Sequence, residues 1–304
     1  MIPVKILDET APLEAVILGS AKSFGGTPNL EETYDPKSRE HIKAGTFPVE
    51  ADLVEEMDGV AKVFEKHGVD VYRPESIDNY NQIFARDIAL VLEDKLIVPC
   101  VTPLRKLESD GIQHVVDQVK KVLLPDEHER MEGGDIMPWK GYLFIGYSKE
   151  EDFNRYDVAR TNEAGVEYLR KTFTNWKVKA FELNKSDDNP KDNALHLDCC
   201  FQPVGKDKAV IHKEGFKNVE DYEFLVDFFG KENVFEITKD EMYEMNSNFF
   251  SISPIVVISD SSFTRLNEQL REWGITVEEV KYREVAKMEG LLRCTTMPLR
   301  RRYD

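Results

Sequence analysis

A recurring order of elements limits what this chain can fold into more than any other feature. A short apolar run of strand character, a helical stretch and a second apolar run follow one another about five times, at roughly 60-residue intervals. Residues 14–18 read as a strand. Residues 50–67 place Leu53, Met57, Val60, Ala61 and Phe64 on one helical face, with Gly68 as a stop. Residues 88–92 and 96–98, joined through Glu93-Asp94-Lys95, read as a hairpin, and helical periodicity recurs at 110–124. A strand at 142–146, a helix at 161–172 and a strand at 177–183 follow. Residues 195–204 and 209–212, joined through Gly205-Lys206-Asp207, make a second hairpin, before a helix at 220–229 and a strand at 233–237. The order closes with strand 252–258, helix 262–272, strand 275–280 and a last strand around 291–299. The units share a pattern and no sequence identity.

No Pro/Gly/Ser-rich linker divides the chain, so residues 1–304 read as one catalytic domain. Residues 184–193 read as an exposed loop. Residues 21–47 are rich in Gly, Pro and Thr and read as a flap, because long unpatterned segments in compact domains are often functional.

Charge narrows the class of partner. The formal net charge is −17, with 41% hydrophobic and 32% charged residues. Such a surface repels phosphate backbones and anionic membranes and attracts small cations. The expectations are no nucleic acid, no membrane association, and a small cationic substrate; homo-oligomer formation is left open. Neither a basic-plus-apolar leader nor an apolar run of membrane-spanning length stands out. Cys100, Cys199, Cys200 and Cys294 match no disulfide framework, and a reducing, cytoplasmic setting fits them best.

Five local patterns carry the chemistry: Phe84-Ala-Arg-Asp87, Glu132-Gly-Gly-Asp135, Arg160-Thr-Asn162, His196-Leu-Asp198 and Cys294 near the C-terminus. Each has an ordinary structural reading. Asp87 fits a cap or an ion pair with Arg86, Glu132-Gly-Gly-Asp135 a surface turn, His196 a strand histidine and Cys294 a small buried apolar residue. Together they supply a thiol, an imidazole and a ring of carboxylates. A guanidinium carbon is a poor electrophile, so its substitution requires carboxylates to orient the planar cation. It also requires a thiolate to attack, and an acid that later serves as a base toward water. Asp87, Glu132 and Asp198 can bind the cation, Cys294 can attack, and His196 can move the proton with its ring oriented by Glu132. His196 and Asp198 alternate along a strand in this reading and share a face.

Taken in this order, the patterns resemble the guanidine-modifying superfamily of arginine deiminases, dimethylarginine dimethylaminohydrolases and glycine amidinotransferases. The resemblance runs from about residue 84 to 300. It rests on Glu132-Gly-Gly-Asp135, His196-Leu-Asp198 and Cys294-Thr with Met297-Pro-Leu-Arg-Arg following. It implies a five-bladed α/β propeller with the site at its centre, and neither cofactor nor metal. It also implies Cys294 as nucleophile, His196 as acid/base, Glu132 as its partner, and Asp87 and Asp198 as holders of the guanidinium. Arg160 resembles the arginine that binds the substrate α-carboxylate, with Arg155 a competing candidate. Asp135 and Arg86 join the candidate substrate-binding groups through the motifs that contain them.

Subfamily signals diverge. Glu289-Gly-Leu-Leu-Arg-Cys resembles the dimethylarginine hydrolases, whereas Asp198 resembles the deiminases and amidinotransferases; the animal dimethylarginine hydrolases carry lysine there. Arg293, directly before Cys294, is expected either to lower the thiol pKa or to lie solvated. The resulting expectation is a cysteine-dependent hydrolase of arginine or a close derivative, working through a thiouronium adduct. The rival readings are an amidinotransferase, a non-catalytic arginine sensor, and a metal site at His196 with Cys199 and Cys200.

Overall fold

The computed structural model describes residues 1–303. In chain order the strands are β1 (Leu13–Leu18), β2 (Asp70–Tyr72), β3 (Leu90–Leu92), β4 (Lys95–Ile97) and β5 (Val122–Leu123). Then come β6 (Ile136–Trp139), β7 (Tyr142–Tyr147), β8 (Lys177–Glu182), β9 (Phe201–Val204) and β10 (Lys208–Ile211). The last are β11 (Val234–Glu236), β12 (Phe250–Ser253), β13 (Val256–Asp260), β14 (Thr276–Val280) and β15 (Thr296–Arg301). They form five three-stranded sheets: β15-β1-β2, β3-β4-β5, β6-β7-β8, β9-β10-β11 and β12-β13-β14. In each, the first pair is antiparallel and the second parallel.

A parallel pair needs a crossover, and here the crossovers carry helices. Glu50–Lys66 joins β1 to β2, Glu163–Thr172 joins β7 to β8, Val219–Phe229 joins β10 to β11, and Thr264–Glu272 joins β13 to β14. Between β4 and β5 lies a 3-10 segment, Pro103–Ile112, running into a single helical turn at Gln113–Val116. The fold is a five-bladed α/β propeller. Its ring closes by pairing the last strand, β15, with the first, β1.

The helix Glu50–Lys66 shows why these elements form. Leu53, Met57, Val60, Ala61 and Phe64 are its buried residues, as their spacing requires. Glu50 and Asp52 face the positive end of the helix dipole and Lys66 the negative end. Gly68, at φ +71°, turns the chain out of the helix. Phe64 meets the Phe250 ring edge-on at 5.5 Å, so the helix of one blade packs on the inner strand of the next.

Five expectations change. The helical stretch expected at 110–124 holds only one helical turn, Gln113–Val116, after a 3-10 segment, and ends in strand β5. The apolar run 252–258 is a hairpin, β12 and β13, turning through Pro254-Ile255; Ile255 is apolar yet exposed, which hid the turn. Residues 195–204 become a strand only at Phe201, because Leu197–Cys199 forms a 3-10 turn. The last strand starts at Thr296, after a turn in which Thr295 N–H donates to the Leu291 carbonyl. The segment 21–47 contains a helix, Pro36–Lys43, whose N-terminus is capped by Asp35 through Ser38 N–H.

Phe64→Ala removes a large, wholly buried ring at a seam between blades. It should lower unfolding free energy by about 3–5 kcal/mol; a denaturant midpoint equal to wild type would contradict this packing role.

Candidate active site

Four irregular turns converge where the inner strands begin, and each carries a motif residue. Asp87 lies in the helical turn Ala85–Ile88 just before β3. Glu132 precedes the 3-10 turn Gly133–Asp135 that enters β6. His196 and Asp198 flank the start of the 3-10 turn Leu197–Cys199 before β9, so the strand alternation expected for them does not occur. Cys294 sits in the turn before β15. All five side chains are buried.

Close approach explains the glycines. A Cβ on Gly134 would come within 2.7 Å of the His196 ring and 3.0 Å of Asp87 Oδ1. Space is what requires glycine here; the backbone is not in the left-handed region.

His196 Nε2 lies 2.9 Å from Glu132 Oε2, and Nδ1 lies 3.7 Å from Asp87 Oδ1 without a hydrogen-bond partner. Burial disfavours the imidazolium, but Asp87, the Glu132 hydrogen bond and Asp135 outweigh it and raise the pKa to about 9. Burial likewise opposes ionisation of Glu132. The His196 bond and the Arg105 and Arg160 guanidinia reverse that and bring Glu132 down to about 2.

Cys294 Sγ stands 3.7 and 3.9 Å from the Asp198 carboxylate oxygens. Asn248 Nδ2 donates to Sγ at 3.1 Å. Burial, then Asp198 and Asp87, push the thiol pKa well above its ordinary value. The expectation that Arg293 depresses this pKa fails because its guanidinium turns elsewhere. It donates to Asp198 Oδ2 at 2.8 Å, to both Glu9 oxygens at 3.2 Å, and to the Gly134 and Ile136 carbonyls.

The partner of Asp87 is Arg105, not Arg86. The Arg105 donors reach Asp87 Oδ2 at 2.8 Å, Glu132 at 3.4 Å, both oxygens of Glu108 and the Phe84 carbonyl. Arg86 donates from Nε to the Arg293 carbonyl, in the turn that carries Cys294. That contact lends no support to the substrate-binding role expected of Arg86. Asp135 is also withdrawn from that role: it accepts from Thr161 Oγ1 at 2.6 Å and from Leu197 N–H at 2.9 Å, anchoring the His196 turn. Arg160 is buried beside Glu132 and donates to the Asp157, Ala159 and Tyr34 carbonyls. Arg155 is exposed against the Tyr156 ring.

Among the described residues, one group has metal-like spacing, Asp87, Glu132 and His196, with ligand atoms within 4.8 Å of one another. Arg105 Nη1 already bridges the two carboxylates, so a dication would have to displace it. Cys199 and Cys200 are outside this group. The Cys200 thiol faces the Leu197 carbonyl, which leaves the metal reading without support.

A cavity of about 120 Å³ is lined by Phe84 and Glu108, both partners of Arg105, and by none of the five motif side chains. Tyr34, Asp35 and Phe47 of segment 21–47 line it opposite Phe84, Glu108 and Met288. The segment is tied to the rest of the chain by Lys37 N–H on Glu289 and by the Tyr34 carbonyl, which accepts from Arg160.

Arg105, Glu108, Glu9 and Asn248 were not singled out in the sequence. No local motif marks them. The available clue was physical: several buried carboxylates require buried cations.

Residues 39–301 match the profile of the family described as N,N dimethylarginine dimethylhydrolase, eukaryotic, and the chain belongs to that family. It thereby falls within the superfamily of guanidino-modifying hydrolases and amidinotransferases. It is 27% identical over 220 residues to the uncharacterized protein YkgA of Bacillus subtilis, covering 72% of this chain and 69% of that protein. It is 29% identical over 212 residues to the arginine deiminase of Streptococcus gordonii. That match covers 60% of this chain and only 49% of the deiminase. Among solved structures, the inosamine-phosphate amidinotransferase of Streptomyces griseus superposes with a TM-score of 0.77 at 17% identity. That superposition covers 99% of this chain and 97% of the other. The N-terminal domain of a cyanobacterial arginine dihydrolase gives 0.77 at 15% identity, covering 94% and 98%.

The imidazole pKa is directly testable. Raised from 6.5 to about 9, His196 stays cationic through neutrality and loses its charge only as pH rises through about 9. The stability it contributes is complete below 6.5 and disappears over that same rise. A His196 NMR titration should show an alkaline midpoint, and Glu132→Gln should lower it; a wild-type midpoint near 6.5 would refute the electrostatic assignment.

Proposed function

We propose that the chain is a cysteine-dependent hydrolase of a guanidino compound, arginine or a close derivative, acting in the cytoplasm. The observation that carries this reading is the pairing of anchored carboxylates around a thiol. Arg105 holds Asp87 through Oδ2, and Arg293 holds Asp198 through Oδ2. Asp87 Oδ1, which accepts from Gly134 N–H at 3.3 Å, lies near His196 Nδ1, and Asp198 Oδ1 lies near Cys294 Sγ; each carboxylate oxygen can accept a further bond. A planar cation seated on both would lie between the nucleophile and the acid.

The charge balance supports a cationic substrate. Without it, burial and then Asp198 and Asp87 push the thiol pKa up. A bound guanidinium offsets their field and lowers the thiol pKa, so the thiolate forms when its target is present. The Cys294 thiolate attacks the guanidinium carbon, and the thiol proton leaves to solvent or to a basic group. His196, cationic at neutral pH, protonates the departing nitrogen, which leaves as ammonia or an amine. The remaining thiouronium adduct is hydrolysed by water deprotonated by His196, giving a ureido product and the free thiol. Glu132 orients the imidazole and keeps it basic. No step is assigned to a metal or cofactor.

Arg160 is the proposed partner of an α-carboxylate, in exchange for the Tyr34 carbonyl it now holds. Agmatine, lacking that group, should then react less efficiently by about 10- to 100-fold, a lost charge-assisted bond; equal efficiency on agmatine and arginine would remove Arg160 from the site.

Mass-spectrometric product analysis on arginine, its mono- and dimethylated forms and agmatine tests the reading, run with and without glycine or lysine as acceptor. An acceptor-dependent product would indicate an amidinotransferase. Arginine should be preferred over asymmetric dimethylarginine, because methylation removes donors to Asp198; the reverse preference would discard that role. Cys294→Ser should abolish turnover while retaining substrate binding, and activity within tenfold of wild type would end the covalent mechanism.

A further inference from the structure

The loop between the short helix Lys239–Tyr243 and β12 carries a buried carboxamide that the steps above do not use. Asn248 is completely buried, and its two side-chain ends face different groups. Oδ1 accepts from Arg293 N–H at 3.0 Å and from Cys294 N–H at 3.1 Å. Nδ2 donates to Cys294 Sγ at 3.1 Å and to the Asp198 carbonyl at 3.4 Å. The orientation is forced, since a flipped amide would set its NH₂ against two backbone N–H donors and its oxygen against a carbonyl.

We propose that Asn248 is a catalytic residue that positions the Cys294 sulfur and stabilises its thiolate through an Nδ2–H···S⁻ hydrogen bond. This role rests on Cys294 being the nucleophile. The Leu291 backbone also favours the thiolate, while the carboxylates facing the sulfur act in the opposite sense. Asp198 and Asp87 oppose negative charge on it. Cys199 shares the Asp198 Oδ1 atom at 3.8 Å, and Tyr282 is a further acidic group nearby. Arg293 neutralises Asp198 but donates nothing to Sγ. Asn248 is therefore a side-chain donor to sulfur on a side of the site otherwise faced by carboxylates. A hydrogen bond to a charged acceptor strengthens as the charge forms, so this one favours the thiolate over the thiol.

The same loop fixes the geometry. Ser247 Oγ donates to the Asp198 carbonyl at 2.9 Å beside Asn248 Nδ2, so two adjacent side chains grip the Asp198 turn. Through its two ends Asn248 then sets the sulfur at a defined distance from the carboxylate that faces it. One blade's loop thereby aligns groups from two other turns.

The test is the pH dependence of Cys294 alkylation by iodoacetamide, with the modified peptide identified by mass spectrometry. Asn248→Asp keeps an acceptor for both backbone N–H groups but turns an oxygen toward sulfur. It should move the alkylation midpoint upward by at least about one pH unit and slow modification at pH ~8 by about 10- to 100-fold. Asn248→Ala, which removes the donor without adding charge, should move the midpoint the same way by less. A purely structural role would change melting temperature and leave the midpoint unmoved; that result in either folded variant overturns the proposal. Wild type supplies a variant-free check: the Asn248 side-chain amide resonances should shift as Cys294 titrates, and their invariance overturns the proposal as well. Failure of the functional reading is a separate event, seen as turnover by Cys294→Ser.

Discussion

The buried guanidinium of Arg293 is the contact on which the centre of this propeller depends. Taking a cation fully out of water costs several kcal/mol unless every donor is paired. Here two donors go to Glu9, one to Asp198 and two to the carbonyls of Gly134 and Ile136. Those partners belong to the N-terminal segment, the entry to β6 and the turn before β9. Satisfying one side chain therefore pins three distant parts of the chain to the turn that carries Cys294. Loss of a partner would leave a buried donor unmet, at a cost of roughly 1–3 kcal/mol or more, so each contact resists being broken.

Arg105 repeats the device on the other side of the site, reaching Asp87, Glu132, Glu108 and the Phe84 carbonyl. Burial and the neighbouring carboxylates push Glu108 up to about 7 despite its bond to Arg105, a measure of how crowded with negative charge this region is. Two internal arginines thus orient carboxylates without exhausting them. The consequence is a resting site in which the imidazole is cationic and the thiol protonated, each held by the same fields. That balance of charge is what the proposed cationic substrate would meet.

The ring explains how one fold is shared with structures only 15–17% identical to the chain. Each blade must supply an inner strand, its antiparallel neighbour and a helix over the crossover, and apolar residues of many kinds satisfy that demand. The turns entering the inner strands are different. They crowd around the axis, where Gly134 has no room for a side chain and each polar group needs a particular partner. Variation is absorbed by the blades, while the turns admit few alternatives.

The sequence by itself determined the repeat of strand, helix and strand, because hydrophobic periodicity is local. The buried face of Glu50–Lys66 follows directly from its spacing. It also marked Asp87, Glu132, His196, Asp198 and Cys294 as chemically notable, and the fold brings these five to one buried cluster. It could not separate β12 from β13, since an apolar residue, Ile255, occupies the exposed turn. Nor could it see that His196 and Asp198 lie on a 3-10 turn, because packing at the axis, not propensity, bends the chain there. Only tertiary structure decided the partners: Arg105 rather than Arg86 for Asp87, Asp198 and Glu9 for Arg293, and Asn248 for Cys294. Those pairs are separated by between 18 and 284 residues. Long-range ion pairs and hydrogen bonds leave no periodic trace, and their identity depends on which groups the closed ring leaves facing one another without water.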